Sequence, residues 1–163
     1  MILNPSQKIL FNLIRNNFYF NVFSIFKLPL LFFTGIKIKY LDEKKCITSV
    51  KLKYLNKNPF SSIYFAVLGM AAELSTGVYA VTATKGHNIK IKTIIISMSA
   101  DFKQKAKGRI FFECVDAEKL FKIANKVIKQ EEPINVTVSS IGKNERNEIV
   151  ASFKYTWLFK RDA

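Results

Sequence analysis

Histidine occurs once and cysteine twice in these 163 residues. The lone His87 sits between Gly86 and Asn88 in an expected exposed turn, so no Ser-His-Asp or Cys-His arrangement can be built. Cys46 and Cys114 give neither a disulfide framework nor zinc-ligand spacing, which fits a reducing cytoplasm. Glycine and proline are scarce, at six and four, and the glycines form no phosphate-binding loop. There is no internal repeat, no low-complexity stretch, no metal-ligand cluster and no RNA-recognition aromatic motif. Residues 18–33 are strongly apolar, but no small-residue cleavage site follows them, unlike a signal peptide.

What remains is a globular composition, 49% hydrophobic and 13% aromatic, in a length that suits one domain with a real core. The formal charge of +14 raises encounter rates with anions, whether nucleic acid, anionic membrane or a phosphorylated cofactor. The lysines alternate with apolar residues in Ile36-Lys37-Ile38-Lys39, Val50-Lys51-Leu52-Lys53 and Ile89-Lys90-Ile91-Lys92. That period of two belongs to half-buried strands with one solvated face. The lysines are then sheet surface, or some of them form a specific anion site; nucleic acid has only the charge in its favour and is not expected as a partner.

The apolar N-terminal run is interrupted by Asn21 and Lys27, broken by Pro29, and short of the about 20 residues of a membrane span. It reads as helices packed on the domain. The alternative is a peripheral membrane contact, because exposed Phe and Leu beside lysines suit an interface.

Along the chain, residues 6–27 read as helix, ended by Pro29. Strands follow at 36–41 and 46–55, then a loop at 56–59 and a long helix at 61–80. Further strands are expected at 89–102 and 109–115, and a helix at 117–130 with Asp116 as its N-cap. Strands at 133–141 and 148–160 complete the chain. Strands joined by short turns are antiparallel neighbours. The expected fold is therefore α+β, one antiparallel sheet with a long, nearly all-apolar helix buried against it. Residues 1–34 form an N-terminal helical extension and 35–163 the main domain.

The long helix carries one carboxylate, Glu73, in an apolar run. Burying a carboxylate is costly unless it is paired, hydrogen-bonded or protonated. Glu73 is therefore held for structure or for chemistry. Ser62, Ala66, Gly69, Glu73 and Gly77 fall at helical spacing and suggest a groove of small side chains with Glu73 in it. Ile63, Val67, Met70 and Leu74 form a bulky stripe for the core. Small residues also let a helix sit close to a sheet, and the two readings are compatible.

This element order resembles the hotdog fold, in which a curved antiparallel sheet wraps a central helix. The resemblance covers about residues 35–160 and is nearest to DUF4442, a domain family of unknown function related to PaaI-like acyl-CoA thioesterases. Such thioesterases carry an Asn in the loop before the helix and an Asp or Glu fifteen residues later; Asn58 and Glu73 keep that spacing. Where the family has His-Gly-Gly, this chain has Tyr64, Phe65 and Ala66. Its aromatic-Pro-Ala is matched by Phe102 and Ala106, with Lys105 for the proline.

The resemblance implies hydrolysis of an acyl-CoA or acyl-carrier thioester. Glu73 would be base or nucleophile, and Asn58 would orient the water or the carboxylate. The N–H groups near Tyr64, Phe65 and Ala66 would face the oxyanion, and the aromatic N-terminal segment would line an acyl pocket. No cofactor is implied beyond coenzyme A as part of the substrate. A homodimer or higher homo-oligomer is implied, with sites shared between protomers. The departure at Tyr64-Phe65-Ala66 leaves a second reading, a hotdog protein that binds acyl or lipid ligands without turnover.

Overall fold

The structure is a computed structural model and describes residues 2–162. Three helices come first: α1 (Pro5–Arg15), α2 (Asn17–Lys27) and α3 (Pro29–Thr34). The single helix expected over 6–27 is thus two. Asn16 breaks it with an extended backbone (φ −79°, ψ 108°), and its side chain accepts from the N–H groups of Phe18 and Tyr19. Asparagine does this readily because its short amide competes for backbone partners. Pro29 does not end the helical region but starts α3 at its first turn, where a missing N–H costs nothing. Gly35 closes α3 in the left-handed conformation (φ 74°).

Two strands follow, β1 (Lys37–Leu41) and β2 (Cys46–Lys51). The second strand stops four residues short of the expectation, because Tyr54–Asn56 turn into a short 3-10 helix. The long helix α4 spans Phe65–Ala83. Beyond it lie β3 (Ile91–Phe102), β4 (Arg109–Cys114), α5 (Ala117–Val127), β5 (Ile134–Asn144) and β6 (Ile149–Arg161). All six strands form one antiparallel sheet in the order β1-β2-β4-β5-β6-β3. The alternating lysines behave as the period of two requires: Ile36, Ile38, Val50 and Ile91 are buried, while Lys37, Lys39, Lys51 and Lys92 are exposed. Asp116 does precede α5, but its carboxylate accepts from Ser139 N–H and pairs with Lys119 instead of capping the helix.

α4 packs against β2, β4, β5 and β6 and against α5. It is the one helix among the described residues long and apolar enough to cross a membrane, and 72% of that stretch is buried inside the fold. Polar side chains tie it to the sheet side. Thr48 Oγ1 donates to the Ala71 carbonyl at 2.6 Å, and Tyr155 OH to the Gly69 carbonyl at 2.7 Å. Ser75 and Ser140 hydroxyls meet at 2.8 Å, and Tyr79 OH donates to the Asp42 carbonyl at 2.8 Å. Buried polar groups joined in this way fix the rotation of α4 as well as its position.

Gly142 in β5 shows how tight the packing is. A methyl group there would lie 2.8 Å from Cζ of the fully buried Phe112. Gly142→Ala is expected to destabilise the fold by about 1–3 kcal/mol, since overpacking forces off-rotamer shifts. A lowered denaturant midpoint with unchanged slope checks this.

Candidate active site

Between α1–α3 and α4 lies a cavity of about 960 Å³. The α4 side contributes Met70, Glu73, Leu74, Gly77, Val78 and Val81, a single helical face at spacings of three and four. The opposite wall comes from the N-terminal helices, with Leu13, Phe20, Phe23, Pro29 and Leu31 among its residues. Only Glu73 and Lys27 bring charge to this lining. The volume lies within the range of about 300–1,000 Å³ usual for small-molecule sites.

The Glu73 carboxylate lies against Gly77, one turn further along α4. A Cβ on Gly77 would collide with Glu73 Oε1, so glycine is what lets the carboxylate lie along the helix there. The same Cβ would stand 3.6 Å from Trp157, whose Nε1 donates to Thr76 Oγ1 at 3.3 Å. Among the described residues, no cation pairs with the Glu73 carboxylate. Burial alone pushes its pKa up, from 4.5 to about 7. An unpaired, desolvated carboxylate keeps its proton longer because the charged form loses its hydration. Tyr155 is pushed up too, by its own burial and then by the Glu73 charge.

The start of α4 is built by the loop before it. Ile63 N–H donates to the Ala106 carbonyl and Tyr64 N–H to the Asn56 carbonyl, which pins the chain before it turns helical. Tyr64 is the N-cap, extended at φ −61° and ψ 136°, without a side-chain cap bond. Its N–H is therefore spent, whereas Phe65 and Ala66 have no backbone N–H partner among the described residues. Those two donors sit at the positive end of the helix dipole, suited to an anionic oxygen. The Tyr64 and Phe65 rings lie 4.9 Å apart, both exposed beside them, and Phe65 meets Phe102 edge-on at 6.4 Å.

Asn58 is engaged locally. Its Oδ1 accepts from the N–H groups of Phe60 and Ser62, and its Nδ2 donates to Ser62 Oγ at 3.0 Å. This is the turn-holding use of asparagine, and Ser61 occupies the left-handed region inside the turn (φ 56°). Asn58 is not among the residues that line the cavity with Glu73.

The groove expected from Ser62, Ala66, Gly69, Glu73 and Gly77 therefore divides. Ser62 precedes the helix, because the turn and the Ile63–Lys57 bridge delay α4 until Phe65. Gly69 lies against Phe153 and Tyr155 at 3.6 and 3.8 Å, where its lack of a side chain lets α4 approach the sheet. Of these small residues, only Gly77 shares the cavity with Glu73. Leu74 is in the core as the stripe requires and Met70 packs against it, and both also line the cavity. Sequence reasoning also missed Thr76, which carried no signal, and Tyr155 and Trp157, whose only signal was an aromatic at every second position of the last strand.

Other candidates are set aside by position. His87 is half-buried, not exposed, and its Nε2 lies 2.8 Å from the Ala83 carbonyl at the end of α4. Cys46 and Cys114 face each other across β2 and β4 as buried free thiols. Burial pushes both pKa values up, Cys114 to about 12, so neither is a ready nucleophile.

A six-stranded antiparallel sheet packed on one central helix defines the hotdog fold. The chain belongs to the DUF4442 family, a domain of unknown function, whose pattern matches residues 17–159. No curated protein sequence matches it. Among solved structures, a probable thioesterase from Pseudomonas aeruginosa is 18% identical with a TM-score of 0.75, over 98% of this chain and 99% of that one. The PaaI protein of the phenylacetic acid degradation operon of E. coli is 13% identical with a TM-score of 0.63, over 94% and 96%. A thioesterase from Staphylococcus aureus is 16% identical with a TM-score of 0.59, over 81% and 98%. That protein was crystallised with a glutamine, or a glutamate fifteen positions after it, replaced by alanine. At these identities the likeness establishes the fold.

Proposed function

We propose that this chain is an acyl thioesterase acting on acyl-CoA or an acyl-carrier thioester, with Glu73 as its base or nucleophile. The observation that carries the reading is an unpaired carboxylate, its pKa raised by burial to about 7, at the floor of an apolar cavity. A general base works best with a pKa near the operating pH. As base, Glu73 takes a proton from water, and the hydroxide adds to the carbonyl carbon. The oxyanion is held by backbone N–H groups at a helix start. Collapse breaks the carbon–sulfur bond, and the thiolate recovers the proton from Glu73.

The site reads as shared between two copies. Phe65 and Glu73 are eight residues apart on α4, about 12 Å along its axis. One carbonyl cannot touch both, so the donors facing Glu73 belong to a partner's helix start, beside a partner's Asn58 turn. The net charge of +14 favours a substrate carrying phosphates, such as coenzyme A. The buried free cysteines suit a reducing cytoplasm.

The test is a panel of acyl-CoAs of rising chain length, with released thiol detected. KM is expected to fall about fourfold per added methylene, from about 0.8 kcal/mol per buried CH₂, until the cavity is filled. No thiol release from any member would overturn the hydrolytic reading. The paired Tyr64 and Phe65 rings at the helix start favour a second reading, acyl binding without turnover. Thermal stabilisation by the same panel with no thiol released would select it.

A further inference from the structure

The N-terminal helices turn much of their apolar surface outward. In α2 only Phe20 and Ser24 are buried, while Phe18, Tyr19, Val22, Phe23, Ile25 and Phe26 are exposed. α3 adds exposed Leu30, Phe32 and Phe33. Phe26 and Phe18 are 77% and 71% exposed. A patch of this kind on a folded domain marks a contact with something apolar.

Charge says what that something is. Residues 1–41 carry Lys8, Arg15, Lys27, Lys37 and Lys39 and no carboxylate at all; the first acid is Asp42. An aromatic and aliphatic surface on a segment whose only charges are cations complements a bilayer with anionic headgroups. A second copy of this chain would bring the same five cations against themselves. The sheet order also puts β1, which α1 contacts, at the opposite edge from β3, so pairing of two copies through β3 leaves this face open.

The cavity opens onto the same surface. Tyr19, Val22, Phe23, Leu28 and Leu30 both line it and are exposed. We propose that α1–α3 dock this protein on an anionic phospholipid surface, and that an acyl ligand enters the Glu73 cavity from there. The entry route rests on the acyl reading above; the docking does not.

The experiment uses the full chain and sedimentation with vesicles of phosphatidylcholine, with or without about one-third phosphatidylglycerol. Retention on the anionic vesicles, weakened by salt, is expected. Phe26→Asp/Phe33→Asp, both at exposed positions, should lower it about tenfold or more, from the lost apolar insertion. Circular dichroism and turnover of a short-chain acyl-CoA should match wild type.

No retention on anionic vesicles, or equal retention by the double variant, would overturn the docking. So would a fall in mass of the double variant by light scattering without vesicle binding by wild type, which would give the face to a second copy. Absent turnover with intact retention would remove the thioesterase reading and leave the docking standing; absent thermal stabilisation by the acyl-CoAs as well would remove the entry route.

Discussion

Glu73→Gln is expected to cut thioester hydrolysis by about 10²–10⁴-fold, the usual contribution of a positioned general base. The substitution keeps the shape of the side chain and removes only its ability to take a proton. The wild-type rate should rise with pH through about 7, where the buried carboxyl ionises, and the residual rate of the variant should lose that inflection. Steady-state kinetics with one acyl-CoA between about pH 5 and 9 measures both, across the raised pKa. An equally active variant would dismiss the Glu73 mechanism.

Stability should move the other way. The folded pKa of Glu73, about 7, lies above its ordinary 4.5. Below 4.5 the carboxyl is protonated in the folded and unfolded chain alike, and its burial costs little. Between 4.5 and about 7 the folded state binds more protons than the unfolded one, so stability falls as pH rises. Above about 7 both states are ionised and the full penalty remains. Each pKa unit is worth about 1.4 kcal/mol, and residual solvent access reduces the total to about 1–3 kcal/mol. Glu73→Gln should therefore be more stable than wild type at pH 8 by that amount, and nearly equal at pH 4. Urea denaturation at both values tests it. A group kept at a cost to stability is what a catalytic role requires.

Charging the edge strand β3 should have the second large effect. This strand is 12 residues long and lies at the end of the sheet. Ile94, Ile96, Met98 and Phe102 are exposed on it, and no charge occurs between Lys92 and Asp101. Natural edge strands are shortened, bulged, charged or covered, because free N–H and C=O groups recruit other strands. β3 has a bulge at Ile96 and little else, so a second copy is the expected cover. Ile94→Lys/Met98→Lys should halve the mass by light scattering, because like charges then meet across the pair. If the site is shared, hydrolysis should fall to the level of Glu73→Gln, with circular dichroism unchanged. A monomeric variant with full activity would mean that one chain holds a complete site. A monomeric wild type would end the shared-site idea outright.

Much of the fold was legible because its signals are local. Alternating isoleucine and lysine marked the strands, and the turns carried Gly, Asn and Asp. The all-apolar run announced a buried helix. The misreadings arose where partners distant in sequence decide. Nothing near Ser62 says that Ile63 will bond Ala106, yet that bond sets where α4 begins. The faces of α4 were also ambiguous, because a helix apolar all round has no preferred side. Gly69 and Gly77 look alike in sequence, but one admits Tyr155 and the other admits the Glu73 carboxylate. Glu73 itself was recognisable, as the only charge in that helix.

The hydrogen bonds from Thr48, Ser140 and Tyr155 to α4 have a consequence for selectivity. They make one wall of the cavity immovable, since α4 cannot slide or roll without breaking buried bonds. The opposite wall consists of short helices that break at Asn16 and Leu28, with side-chain hydrogen bonds to the rest of the fold at Asn4 and Thr34. For the proposed acyl ligand, a longer or bulkier chain would then be accommodated by α1–α3. Chain-length preference can then diverge through substitutions before Gly35, while the carboxylate and its surroundings stay unchanged.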